Sequence, residues 1–155
     1  MTQTVVVCSS VSFYPELPAV KRELEALGLR VIVPYIALAM EKAANEASLE
    51  EFKQEQVAEL RAAELASPEL KRGFITGYFK EIEKGDWVLA YNPEKHGIEG
   101  YVGANVLMEL TIGFYLGKKL FIWNQPSKKL GCYDELEAMG MKVLGGSAKE
   151  ILAER

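Results

Sequence analysis

The sequence predicts a single α/β domain built on a parallel sheet, and three observations carry that expectation. Apolar, β-branched runs stand at Thr4 to Cys8, Leu29 to Val33, Trp87 to Tyr91, Lys119 to Trp123 and Lys142 to Leu144. Segments of helical periodicity separate them. The chain length, 155 residues, is that of one domain with a substantial core. Strands that alternate with helices pair in parallel through right-handed crossovers.

The first crossover is the clearest. Leu17, Val20, Leu24 and Leu27 recur at helical spacing, and Gly28 ends that helix before the second strand. Between the second and third strands lies a long Ala- and Glu-rich stretch. Ser48-Leu49-Glu50-Glu51 supplies a capping-box start, and Ser67-Pro68 a break before a further helix through Glu83. This is too long for a plain crossover, so residues 36–68 are read as a helical insert within one domain spanning 1–155. It forms either a hairpin packed on the sheet or on a partner subunit, or a cap over the site.

The net charge of −4 is spread over mixed acidic and basic residues. No basic stripe exists to neutralise a phosphate backbone, which argues against nucleic acid as a partner. Cys8 and Cys132 are far apart and His96 is the sole histidine, so neither a metal site nor a disulfide framework is expected. The amino terminus lacks a positive region followed by a long apolar run, and no stretch approaches the ~20 apolar residues of a membrane span. A soluble, cytoplasmic protein without a membrane partner is therefore expected.

Ligands of open α/β sheets bind outside the carboxyl ends of the strands. That rule selects Cys8-Ser9-Ser10, Pro34-Tyr35, the loop from Asn92 to Asn105, and Asn124-Gln125. In the loop, Gly97, Gly100 and Gly103 permit backbone conformations closed to other residues and let a ligand approach the main chain. The helix that follows, beginning near Asn105, is apolar on almost every face and is expected to be buried in the interior. Glu109 is its only residue charged at neutral pH. A carboxylate in such a helix either serves a purpose, with a raised pKa, or complements the helix dipole while reaching solvent.

The pattern Gly85-Asp86-Trp87-Val88-Leu89-Ala90-Tyr91-Asn92, a Gly-rich loop, Met108-Glu109-Leu110 in an apolar helix, and Gly117-Lys118-Lys119-Leu120-Phe121-Ile122 resembles the nucleoside 2-deoxyribosyltransferase superfamily, most of all a small branch of it. The similarity covers the first strand and nearly everything from Phe79 to Leu144, including the tail from Tyr133 to Met139. The resemblance implies a flavodoxin-like or Rossmann-like five-stranded parallel sheet with flanking helices. It implies a small-molecule nucleoside or nucleotide substrate, no cofactor, and a homodimer or higher homo-oligomer with sites built across subunits. A glutamate at the position of Glu109 attacks the anomeric carbon of a deoxyribose, and the glycosyl-enzyme then passes the sugar to a new base or to water.

At one position the chain departs from that family: Gly103 stands six residues before Glu109, where an Asp or Ser is usual, and this leaves the substrate class open. Asn105 either caps the helix or hydrogen-bonds a sugar hydroxyl or phosphate. Tyr14 falls where the family places an aromatic residue near the catalytic carboxylate, to orient Glu109 or stack on a base. Ser9 and Ser10 either contact a 5′-phosphate or form caps and turns. Asn92 and Asn124, after the third and fourth strands, are candidate lining residues of the crevice. Asp86, just before its strand, lies on the wrong edge and is read as structural, and His96 sits in an exposed loop. Two other readings stay open. The segment from Gly103 to Leu110 is a weak echo of the nucleotide phosphoribohydrolase signature, and loss of the loop acid would suit a non-catalytic nucleotide-binding or sensing module.

Overall fold

In the computed structural model, which describes residues 1–44 and 49–154, the five expected strands form one sheet. They are β1 (Thr4–Ser9), β2 (Arg30–Ile32), β3 (Trp87–Tyr91), β4 (Lys119–Ile122) and β5 (Lys142–Val143). Every pairing is parallel, in the order β2-β1-β3-β4-β5. This is the flavodoxin-like doubly wound order. The chain moves outward from β1 to β2, then crosses back to pair β3 on the other side of β1. The strand order therefore reverses next to β1, and a crevice opens there at the carboxyl ends.

Among the described residues there are six α-helices, of which α3 packs on α2 and α4: α1 (Leu17–Ala26), α2 (Tyr35–Ala44), α3 (Leu49–Ala66), α4 (Pro68–Lys84), α5 (Ala104–Tyr115) and α6 (Tyr133–Ala138). Because strand side chains alternate between faces, the run Val5-Val6-Val7-Cys8 feeds two cores. Val5 and Val7 join Leu17, Leu24, Leu89 and Phe121 on the α1 side. Val6 and Cys8 join Ile82, Val88, Val106 and Leu110 under α4 and α5.

The Ser67-Pro68 break is the start of α4. The Ser67 side chain accepts a hydrogen bond from the Leu70 backbone N–H at 3.1 Å, and Pro68 occupies the first turn, where no amide hydrogen is needed. At the other end Lys118 Nζ donates to the carbonyls of Glu83 (3.0 Å) and Gly85 (2.6 Å), satisfying groups that the helix leaves unpaired. The Ser48 capping box lies outside the described residues. Asp86 acts at the amino-terminal edge, where its Oδ2 accepts the Thr4 backbone N–H at 2.8 Å and ties β1 to the start of β3.

Two expectations for α5 need correction. The helix starts at Ala104, near Asn105 as expected, but its cap is Gly103 and not Asn105, and Gly103 has an ordinary negative φ of −89°. Nor is the helix enclosed: Val106, Leu110 and Gly113 are buried, while Met108, Phe114, Tyr115 and Leu116 are exposed. The physical reason is one-sided packing. A Cβ on Gly113 would lie 2.9 Å from Val88 Cγ2, so the helix sits hard against the sheet and its outer apolar face is left over.

Candidate active site

A cavity of about 450 Å³ opens beside the carboxyl ends of β1 and β2. The sheet side contributes Tyr14, Pro34 and Tyr35, and α5 contributes Asn105 and Glu109 one turn apart. The facing wall comes from the long segment between β2 and β3, through Leu60 and Glu64 of α3 and Lys71, Phe74 and Tyr78 of α4. That segment reaches both the sheet and the cavity. Its α4 carboxyl half packs on the sheet through Ile82, and the Tyr78 hydroxyl donates to the Val7 carbonyl, while α3 and the amino half of α4 close over the cavity.

Glu109 is only half-buried as a residue, but its Oε2 is shut off from solvent and has no hydrogen-bond partner among the described residues. Burial pushes its pKa from 4.5 up to about 8, partly offset by a hydrogen bond from the Cys8 thiol and by the positive charge of Lys71. Cys8, wholly buried on β1, is itself driven well above the ordinary thiol range by burial and by Glu109, so it keeps the proton it donates. The Tyr14 hydroxyl is raised above its ordinary range by burial, then by the negative charges of Glu109 and Glu64. Lys71 Nζ lies 3.3 Å from Glu64 Oε2, with the Glu64 side chain only 11% exposed.

A second polar cluster is joined to the cavity wall through the chain, by residues that neighbour Tyr14 and Leu60. The chain turns sharply at His96-Gly97, both with positive φ, and Lys95 and Ile98 exchange backbone hydrogen bonds across the turn. The turn carries Lys95 to Ser10, where Nζ donates to Oγ at 2.8 Å. Arg61 of α3 donates to Ser12 Oγ at 3.3 Å and is close enough to depress the Lys95 pKa, after the larger effect of burial. Arg61 adjoins the cavity-lining Leu60, and Ser12 precedes the cavity-lining Tyr14 by one residue, Phe13.

Of the residues singled out from sequence, Tyr14, Asn105 and Glu109 meet in the cavity. Ser10 and Gly103 stand beside it, Ser10 in the basic cluster and Gly103 at the α5 cap. Ser9 is buried, with its hydroxyl donating to the Tyr91 carbonyl at 3.1 Å. Asn92 and Asn124 are engaged with each other: Asn92 Nδ2 donates to the Asn124 carbonyl (3.0 Å) and Asn92 Oδ1 accepts the Asn124 N–H (2.8 Å). They splice the ends of β3 and β4 and are not in the cavity wall. His96 is exposed and packs edge-on to Tyr101. Glu64, Lys71, Arg61 and Lys95 escaped the sequence reading. One signal was available: Lys71, Phe74, Ile75 and Tyr78 share a helical face on which a lysine heads an apolar stripe.

The chain matches no known family model and no curated protein. Among solved structures it is similar to the Clostridium botulinum CMP N-glycosidase BcmB, over 98% of this chain and 97% of that one, with 14% identity and a TM-score of 0.48. The fold assignment rests on the strand order itself. Among the described residues no helix is long and apolar enough to cross a membrane, and no group of three His, Cys, Asp or Glu is placed to hold a metal ion.

Proposed function

We propose that this protein breaks the N-glycosidic bond of 2′-deoxynucleoside 5′-monophosphates, with Glu109 as nucleophile. The observation that carries the reading is a carboxyl in a ligand-sized cavity whose Oε2 has no partner, held there against a large cost of burial. A structural carboxyl would be expected to find a hydrogen bond or a counter-ion for both oxygens. The choice of a deoxyribosyl substrate follows from the sequence resemblance around Glu109.

In the first step the ionised Glu109 forms a bond to C1′ as the C1′–N bond breaks, and the bonding pair leaves with the base, which takes up a proton. Water or an acceptor base then attacks C1′ and releases the carboxylate. Tyr14, beside Glu109, orients it, and Asn105 one turn earlier on α5 is placed for a sugar hydroxyl. The monophosphate is supported by the Ser10, Ser12, Lys95 and Arg61 cluster. Two cations are held close together there by hydroxyls and form no ion pair among the described residues, an arrangement that a phosphate would stabilise.

Incubation with deoxynucleosides and their monophosphates, with and without an acceptor base, tests the reading by chromatography of released or exchanged base. Base release abolished by Glu109→Ala supports it, and exchange with the acceptor separates transfer from hydrolysis. Lys95→Met is expected to raise KM for monophosphates about tenfold or more and to leave nucleosides unaffected. A variant Glu109→Ala that binds nucleotide as the parent does, from a parent without turnover, would instead make the chain a binding module, the reading that Gly103 in place of a loop acid favours. The proposal includes a homo-oligomer, supported by the exposed Met108, Phe114, Tyr115 and Leu116 on α5.

A further inference from the structure

We propose that Lys71, held by Glu64, is the group that stabilises the departing base. This rests on the glycosidic reading above. Such a cleavage is assisted by a cation or acid that reaches the base, because the base leaves with the bonding pair. The position six residues before Glu109 does not supply one: Gly103 stands there, and the nearby Asn105 is not an acid.

The helical segment does. Lys71 at the start of α4 lines the same cavity as Glu109 and lies close enough for its charge to act on that carboxyl. It is not a free surface lysine, since its side chain is only a third exposed and is anchored to Glu64 at 3.3 Å. Phe74, one turn further along the same helix, and Tyr35 across the cavity supply aromatic surface for a planar base. Within an apolar, half-closed cavity an ammonium interacts with a developing negative charge far more strongly than it would in water.

The chemistry recognised is an acceptor atom next to the glycosidic nitrogen, O2 of a pyrimidine or N3 of a purine. As the C1′–N bond breaks, the bonding pair delocalises onto that atom. The Lys71 ammonium donates to it and transfers a proton, and the lysine recovers a proton from solvent. Glu64 fixes the ammonium and leaves an oxygen to accept from a base N–H.

The test compares the parent with Lys71→Met, Lys71→Arg and Glu109→Ala on two substrate series. One is deoxycytidine monophosphate with its 5-fluoro analogue, whose base leaves more readily. The other is deoxyadenosine monophosphate with its 3-deaza analogue, which lacks N3. Lys71→Met is expected to slow cleavage of the poor leaving base about a hundredfold and that of the fluorinated base much less. Lys71→Arg, which keeps the charge, is expected to recover part of the loss with a Tm near that of the parent, whereas Lys71→Met is expected to lower Tm as well, because it leaves the largely buried Glu64 without its counter-ion. Lys71 sensitivity in the cytosine series assigns O2; sensitivity for adenine that vanishes with 3-deazaadenine assigns N3. Equal losses on good and poor leaving bases, or none, would overturn the inference while leaving the Glu109 mechanism intact. A parent that cleaves nothing would overturn the glycosidic reading, and this inference with it.

Discussion

Glu109 is held in surroundings that oppose its ionisation. Up to about pH 8 the native carboxyl keeps its proton, while the unfolded one releases it near 4.5, so between these values the folded state binds more protons. Stability therefore falls as pH rises through that window and levels off above it. Glu109→Gln is expected to stabilise the fold at pH 9, relative to its effect at pH 4, by on the order of 4 kcal/mol, measured by urea unfolding at the two pH values. The same substitution is expected to lower kcat by at least about a thousandfold. If Glu109 is the proposed nucleophile, only its ionised form can attack, so kcat/KM for the parent is expected to rise with pH through an inflection near 8 and to level off above it. Cys8→Ala, which removes the thiol hydrogen bond that favours ionisation, is expected to move that inflection to higher pH. A pH profile flat from 6 to 9 would show that Glu109 is not the titrating nucleophile.

Individual turns and helix ends decide what reaches the cavity. Gly100 has φ +67°, and a Cβ there would lie 2.0 Å from the Gln125 carbonyl oxygen. Gly100→Ala is expected to destabilise the protein by at least about 2 kcal/mol, read from denaturant midpoints, because backbone strain and a main-chain clash act together. Ser67→Ala, which removes the α4 cap, is expected to destabilise by about 1 kcal/mol. The five strands, the α1 crossover and the Ser67-Pro68 helix start were legible in the sequence because each is written in local periodicity and turn chemistry. The cap of α5 was misread because Asn105 is a strong cap by residue type, yet Gly103 takes that place and Asn105 turns to the cavity. The one-sided burial of α5 was equally hidden, since an all-apolar helix reads the same whether its outer face meets solvent, a cap or a second subunit.

At the scale of the whole molecule, that outer face has a consequence. Met108 and Tyr115 lie on one stripe of α5, beside the exposed Phe114 and Leu116, on the helix that also carries Glu109. Large apolar groups clustered on one surface mark an association site. Sedimentation of the parent is expected to show a dimer or larger oligomer, and Met108→Glu with Tyr115→Glu a monomer; a monomeric parent at micromolar concentration would rule the interface out.

By itself the sequence determined the alternation of strands and helices, hence a parallel sheet, and it marked Glu109 as the one charged group in an apolar helix. These are properties of short segments, and short segments carry their own periodicity. Only the tertiary structure decided what surrounds Glu109. It brought Lys71 and Glu64 over the cavity, joined Arg61 and Lys95 to the serines after β1, and turned Asn92 and Asn124 toward each other. The reason is that charged residues on long amphipathic helices look like ordinary solvated faces in sequence. Their role depends on which distant strand end the helix closes over, and that is settled by packing between segments far apart in the chain.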